Sequence, residues 1–276
     1  VITPHLSNTY LYIYQYISTM ISKNKIKYIR SLEMKKYRKA DCVFVAEGKK
    51  LVGDLIGSFD LTYVAATAAW LSDNALLLSS AVFQGVEVDE VSEEELRRIS
   101  FQETPQQVLA IFRQRQSDAD INEVAANDLC LMLDDVQNPG NMGTIVRIAD
   151  WFGIRHIFCS DASADIYNPK TVQATMGGMA RVEVHYANLP QLLDSLDSSI
   201  PVYGTFLDGD DIHGQQLSSH GVIIMGNEGR GVSAPVSAHV SHRLFIPNYP
   251  PGSSTSESLN VAIATAIVCA EFRRPR

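Results

Sequence analysis

Four short apolar runs in the second half of the chain, residues 129–133, 202–206, 222–225 and 244–246, each give way within two residues to Asp, Gly or Pro at their C-terminal end. Runs of this length without polar alternation are typical of strands buried on both faces, as in a parallel sheet covered by helices. A fifth run at 157–159 follows a helix-length segment over about 142–152, and a closing helical segment runs over about 256–272. This half therefore reads as an α/β domain with mostly parallel strands. In such sheets ligands bind at the loops leaving the strand C-termini.

The first half reads as a smaller α/β domain. Strands are predicted at 42–46, 61–66 and 108–112, and helices at 21–32, 48–56 and 92–99, the last opened by Ser92 and Glu95 as a capping box. Residues 114–126 are polar and acidic with neither period, and read as a linker between a domain over 20–113 and one over 127–276. Residues 1–19 place Tyr10, Tyr12, Tyr14 and Tyr16 in alternation but lack the features of a signal peptide. Since Met20 opens the first amphipathic segment, they read as an N-terminal extension.

Charge is unevenly distributed. The chain carries a formal −8, yet Lys23 to Lys50 holds ten basic residues against three acidic ones, a local +7 that leaves −15 elsewhere. Such a block is either a solvated face or a phosphate-binding surface. Cys42, Cys130, Cys159 and Cys269 sit singly in apolar stretches without a C-x-x-C pair. They are expected to be buried and reduced, with no disulfide and no metal. Apolar runs fall short of a membrane span, and the protein is expected in the cytoplasm.

Three segments carry candidate chemistry. The first, Asp134-Asp135-Val136-Gln137-Asn138-Pro139-Gly140-Asn141-Met142-Gly143, joins a strand to a helix, with Asn141 as the expected N-cap and Arg147 in the second helical turn. An arginine there also suits a surface ion pair. The spacing does not meet the G-x-G-x-x-G dinucleotide pattern, which argues against a nucleotide-dependent oxidoreductase. The second segment is Met225-Gly226-Asn227-Glu228-Gly229-Arg230-Gly231, a strand entering a glycine-rich turn. The third is Phe245-Ile246-Pro247 followed by a Ser/Gly/Pro loop and Ser256-Glu257-Ser258-Leu259-Asn260-Val261-Ala262. Ser254 and Glu257 could form a simple capping box there.

Taken together and in this order, the three segments resemble the signature motifs of the SpoU (TrmH-like) branch of the SPOUT RNA 2′-O-ribose methyltransferases: N-x-G-x-x-x-R, G-N-E-G-x-G and I-P with S-L-N-V-A. The first domain more loosely resembles that family's small, ribosomal-protein-like substrate-binding domain, through Ser22 to Lys27 and Val45 to Val52. The resemblance implies a trefoil-knot methyltransferase domain, S-adenosylmethionine as cofactor, structured rRNA or tRNA as substrate, and a homodimer. By motif position it implies functional roles for Asn141, Arg147, Glu228, Ser258 and Asn260. Thr205, Met225, Gly226, Ile246 and Leu259 would hold the cofactor. Lys23, Lys25, Lys27, Lys35, Lys36, Arg38 and Lys39 are expected to meet RNA. The link from Ile246 to Ser258 is longer than usual for the family, which bears on the adenine side of the pocket. A noncatalytic RNA-binding or ribosome-assembly factor with the same fold is the alternative; presence of Arg147 and Asn260 favours the enzyme.

Overall fold

The computed structural model describes residues 17–18, 21–116, 118–250, 253 and 258–275. The expected extension over 1–19, apart from Ile17 and Ser18, and the Ser254/Glu257 capping box lie outside them. The described chain forms two compact units, one of residues up to 115 with 167–180, the other of 116–166 with 181–276.

In the first unit, strands β1 (Ile17–Ser18), β2 (Val43–Glu47), β3 (Leu61–Ala66), β4 (Glu87–Glu90) and β5 (Val108–Arg113) pair in the order β1-β4-β3-β5-β2. The pairs β3–β5 and β2–β5 are antiparallel, and β4 is parallel to both β1 and β3. Helices α1 (Lys23–Ser31), α2 (Lys35–Asp41), α3 (Lys49–Leu55), α4 (Ala68–Asp73), α5 (Ala75–Leu78) and α6 (Glu93–Ile99) accompany them. Ile29, Leu32, Val45, Tyr63, Leu96, Ile99 and Leu109 join one core cluster. The capping box at Ser92 and Glu95 forms as expected. Strand β4, with the sequence Glu-Val-Asp-Glu, has no apolar pattern to announce it. Its polar side chains are satisfied instead: Tyr63 Oη donates to Asp89 at 2.7 Å, and Lys25 pairs with Glu87 at 2.5 Å.

The second unit is a six-stranded, wholly parallel sheet. Its strands are β6 (Leu129–Leu133), β7 (His156–Cys159), β8 (Glu183–Tyr186), β9 (Val202–Asp211), β10 (Gly221–Met225) and β11 (His242–Phe245), in the order β11-β9-β10-β6-β7-β8. The chain walks outward from β6 to β8, then crosses to β9, and β10 closes the gap between. Loops after β6 and β10 thus emerge side by side at the point where strand order reverses, where open α/β sheets bind ligands.

Two features depart from the expected organisation. Ile121–Asn127, which begins inside the expected linker and ends one residue past it, is helix α7; Asp120 caps it, and Ile121 and Ala125 are buried in the second unit's core with Cys130 and Met132. Its apolar positions i and i+4 were too few among acidic neighbours to register as a period. Residues 167–180, which include α9 (Pro169–Ala174), pack with the first unit although they lie within the sequence of the second, to which α10 (Leu189–Asp194) and α11 (Ala234–Ser237) belong. Cys42 also departs from expectation: it is exposed, in the left-handed conformation that ends α2. The other three cysteines are buried, which pushes the thiols of Cys130 and Cys269 up to about 12. Among the described residues no helix is long and apolar enough to cross a membrane.

Candidate active site

Helix α8 (Pro139–Trp151) begins one turn earlier than the sequence suggested. Its N-cap is Asn138, not Asn141: Asn138 Oδ1 accepts from Gly140 N at 2.8 Å and Asn141 N at 3.1 Å, and Pro139 fills the first helical position where no N–H is needed. The Pro-Gly pair therefore opens the helix instead of turning before it. Asn141 is freed from capping and lies in the first turn, while Arg147 falls in the third turn, not the second. Met142, Ile145, Val146 and Ala149 bury one face, and Gly153, at a φ of +69°, follows the helix end.

The loop after β10 is bound to the loop after β6. Asn227 Oδ1 accepts from Gly229 N and Arg230 N, and its Nδ2 donates to Asp135 O at 2.8 Å. Arg230 pairs with the Asp135 carboxylate, and buried Asp134 accepts from Ser233 N at 2.7 Å. Gly226 is required by close approach: a Cβ there would stand 2.3 Å from the Gly231 carbonyl carbon. These clamps were missed in the sequence, although the acidic pair Asp134-Asp135 opposite Asn227 and Arg230 was visible.

On this base four of the expected residues meet. Asn141 Nδ2 donates to Glu228 Oε1, Asn260 Nδ2 donates to Asn141 Oδ1 at 3.1 Å, and Ser258 Oγ approaches Glu228 O at 3.5 Å. Asn260 is itself the N-cap of helix α12 (Val261–Phe272), accepting from Ala262 N and Ile263 N. Residues from the first turn of α8, the loop after β10 and the segment that opens α12, spread over 119 positions of sequence, thus share one polar chain. Arg147 does not join it. It lies six residues from Asn141, about 9 Å along the helix and roughly 120° around it. It is exposed, and among the described residues it has no hydrogen-bond or ion-pair partner.

The expected cofactor residues line neighbouring strand ends. Register places Ile224 beside Gly204 and Arg243 beside Gly204, so Thr205, Met225 with Gly226, and Ile246 leave the sheet from three adjacent strands. Thr205 Oγ1 lies 4.0 Å from Met225 Sδ. After Gly204, β9 swings out of register and returns at Asp210; Arg243 pins the excursion by lying 3.5 Å from the Phe206 ring centre and 2.5 Å from Asp208. Ile246 is half-buried, and Leu259 is 45% exposed. Apolar side chains left open beside strand-end backbone suit an adenosine ring better than a metal or a second phosphate, so the donor set fits S-adenosylmethionine.

In the first unit, Lys23, Lys27, Lys35, Lys36 and Lys39 are exposed, as a phosphate-binding surface needs. Lys25 is engaged by Glu87 and lies over the Tyr63 ring. Arg38 is a correction. It is 1% exposed and donates to Leu32 O at 2.8 Å and Glu33 O at 2.7 Å, so it closes the end of α1 and does not face solvent.

A parallel α/β sheet that gathers Asn, Glu, Ser and Asn at its strand C-terminal ends, beside the half-buried Ile246 and the exposed Leu259, has the form of an enzyme that binds a small molecule there. Comparison with known proteins gives the family. The SpoU rRNA Methylase family model matches residues 128–270, and the MRM3-like substrate binding domain matches 23–110. The chain belongs to the SpoU rRNA methylase family. It is 31% identical over 251 residues, covering 90% of this chain and 96% of the relative, to the 23S rRNA (guanosine(2553)-2′-O)-methyltransferase RlmP of Bacillus subtilis. A TrmH-family structure from Porphyromonas gingivalis superposes with a TM-score of 0.81 at 41% identity, covering 92% of this chain and 99% of that one. An AdoMet-bound rRNA methyltransferase from Sinorhizobium meliloti superposes at 0.80 with 29% identity, covering 93% and 97%.

Proposed function

We infer that this chain transfers a methyl group from S-adenosylmethionine to a ribose 2′-hydroxyl of RNA. The observation that carries the reading is the polar chain of Asn141, Glu228, Asn260 and Ser258, drawn from the first turn of α8, the loop after β10 and the segment that opens α12. Ribosomal RNA is the favoured substrate, since a relative that matches 90% of this chain at 31% identity is named for 23S rRNA.

Bound S-adenosylmethionine supplies an electrophilic methyl on its sulfonium. Thr205, Met225, Gly226, Ile246 and Leu259 would hold it. The chain's own task is to orient the 2′-hydroxyl and stabilise charge growing on its oxygen. Arg147 suits the second part. A guanidinium offers five N–H donors in a planar fork and no acceptor, so it acts by electrostatics and hydrogen bonding to the ribose and its phosphate, not as a base.

The separation of Arg147 from the Asn141 cluster supports a site shared by two subunits of a homodimer, in which each Arg147 serves its partner's cluster. Gly140, Thr144, Arg147 and Trp151 form an exposed stripe on α8, with Trp151 84% exposed, and Ile263 on the neighbouring α12 is 55% exposed. Apolar surface of this kind suits subunit packing. We further propose that the segment after β11 threads a loop of its own chain as a trefoil knot; the bond from Asn260, which follows that segment, back to Asn141 supports it. No metal takes part in this chemistry, and the site of action is the cytoplasm.

The test of the reaction is labelled methyl transfer into ribosomal RNA followed by nucleoside analysis. Label in a 2′-O-methyl nucleoside is expected. Label on a base, or none from folded protein that binds the cofactor, would contradict the reading.

A further inference from the structure

The edge of the six-stranded sheet carries a cluster that methyl transfer does not use. His156 opens β7 and Glu183 opens β8, and the two strands run parallel with His156 beside Glu183 and Phe158 beside His185. Strand alternation puts all four side chains on one face. On that face Phe158 packs with Leu189 and Leu193. His185 is 8% exposed, with its ring 4.9 Å from that of Phe158 and its Nε2 3.2 Å from His156 Nδ1. One ligand atom each from His156, Glu183 and His185 lie within 4.8 Å of one another.

We propose that His156, Glu183 and His185 form a structural site for a divalent cation of the zinc class, fastening edge strand β8 to β7. Tetrahedral zinc with bonds of about 2.0–2.1 Å holds its ligand atoms roughly 3.4 Å apart, and the two imidazole nitrogens already stand at that spacing. The carboxylate completes the set by a small movement of the Glu183 side chain. Two imidazoles and one carboxylate suit zinc, cobalt or nickel; calcium and magnesium require more oxygen. Three protein ligands leave the fourth position to water.

Without metal, the facing nitrogens share one N–H···N hydrogen bond. A metal takes imidazole in its neutral form by a lone pair, so on binding the one proton lying between the rings passes to the outer nitrogen of its own ring, His156 Nε2 or His185 Nδ1. The imidazole protons are thereby redistributed, not lost. His156 and Glu183 stand at the N-terminal ends of β7 and β8 with His185 two residues further along, whereas the candidate catalytic loops leave the C-terminal ends of β6 and β10. A metal here would therefore fasten the sheet without entering the reaction.

The experiment titrates Co²⁺ into chelator-treated full-length protein prepared without a polyhistidine tag. The expected result is one equivalent bound with the visible absorption of tetrahedral cobalt, displaced by Zn²⁺, and a melting temperature raised by Zn²⁺. His156→Gln and Glu183→Gln, each checked for wild-type melting in chelator, should bind more than tenfold more weakly and lose the zinc-dependent shift. Absence of the tetrahedral band in wild type, or equal affinity and band in the folded variants, would overturn the proposal.

Discussion

Asn260 holds two elements together: its Oδ1 accepts from Ala262 N at 3.0 Å and Ile263 N at 3.3 Å, while its Nδ2 reaches Asn141 Oδ1 at 3.1 Å. One side chain thus starts the final helix and fixes the orientation of the amide that faces Glu228. The two duties separate by substitution. Asn260→Ala should cost about 1 kcal/mol of stability from the lost cap and also most of the activity. Asn260→Ser keeps a capping oxygen but lacks the reaching amide, so it should recover stability in urea unfolding and leave turnover low. Full activity in the Ser variant would show that the bridge to Asn141 has no part in catalysis.

The basic segment yields two opposite outcomes. Reversing exposed Lys35, Lys36 and Lys39 to Glu should weaken RNA binding and flatten its salt dependence by roughly one unit of log–log slope per lost phosphate contact. Cofactor affinity should stay unchanged. Arg38→Ala should act on folding instead, by about 1–3 kcal/mol, because it leaves the buried Leu32 carbonyl and the part-buried Glu33 carbonyl without their donor. Filter binding across a salt series, paired with denaturant melts, distinguishes them. A triple reversal with unchanged affinity and slope would return the lysines to the role of a solvated face.

Glu47 links stability to pH. Burial pushes its carboxyl above the usual range, opposed by hydrogen bonds from the Ser100 hydroxyl and the Phe101 N–H and by the charge of Arg30. A carboxyl raised in the folded state favours folding while protonated. Its stabilising contribution is complete below the unfolded glutamate range and is lost as pH rises through the raised value. Glu47→Gln removes this loss, so its stability relative to wild type should improve steadily from acid towards neutral pH. A difference that does not vary with pH in parallel denaturant titrations would contradict this assignment.

Much of the second unit was legible because its strands are buried on both faces and its motif loops carry Asn, Gly and Pro at strand ends. Strands β4 and β8 were not, since Glu-Val-Asp-Glu and Glu-Val-His-Tyr show no apolar run; pairing with neighbours and partners such as Tyr63 for Asp89 hold them in place. The same limit hid α7 in an acidic stretch. At the site, residue identities were readable from motif order, whereas capping was not. Asn138 and Asn141 are equally good caps by chemistry, and only the backbone path decides that Asn138 serves. Arg38 illustrates the remaining ambiguity: a charge in a basic run carries no mark that its guanidinium turns inward to carbonyls.

Arg147 decides the central claim, that this fold performs methyl transfer with a guanidinium contributed across a dimer. The measurement is single-turnover methyl transfer to cognate RNA, with folding and cofactor affinity of each variant confirmed by calorimetry in the presence of chelator. Arg147→Ala should bind cofactor normally and lose about a hundredfold to a thousandfold in rate, roughly 3–4 kcal/mol of transition-state stabilisation. Arg147→Lys should recover part of it, since the charge remains but the planar fork does not. Mixing Arg147→Ala with Asn260→Ala subunits should restore activity well above either alone, because each mixed dimer contains one site with both residues intact. A wild-type rate from folded Arg147→Ala, or a mixture no faster than its components, would contradict the account.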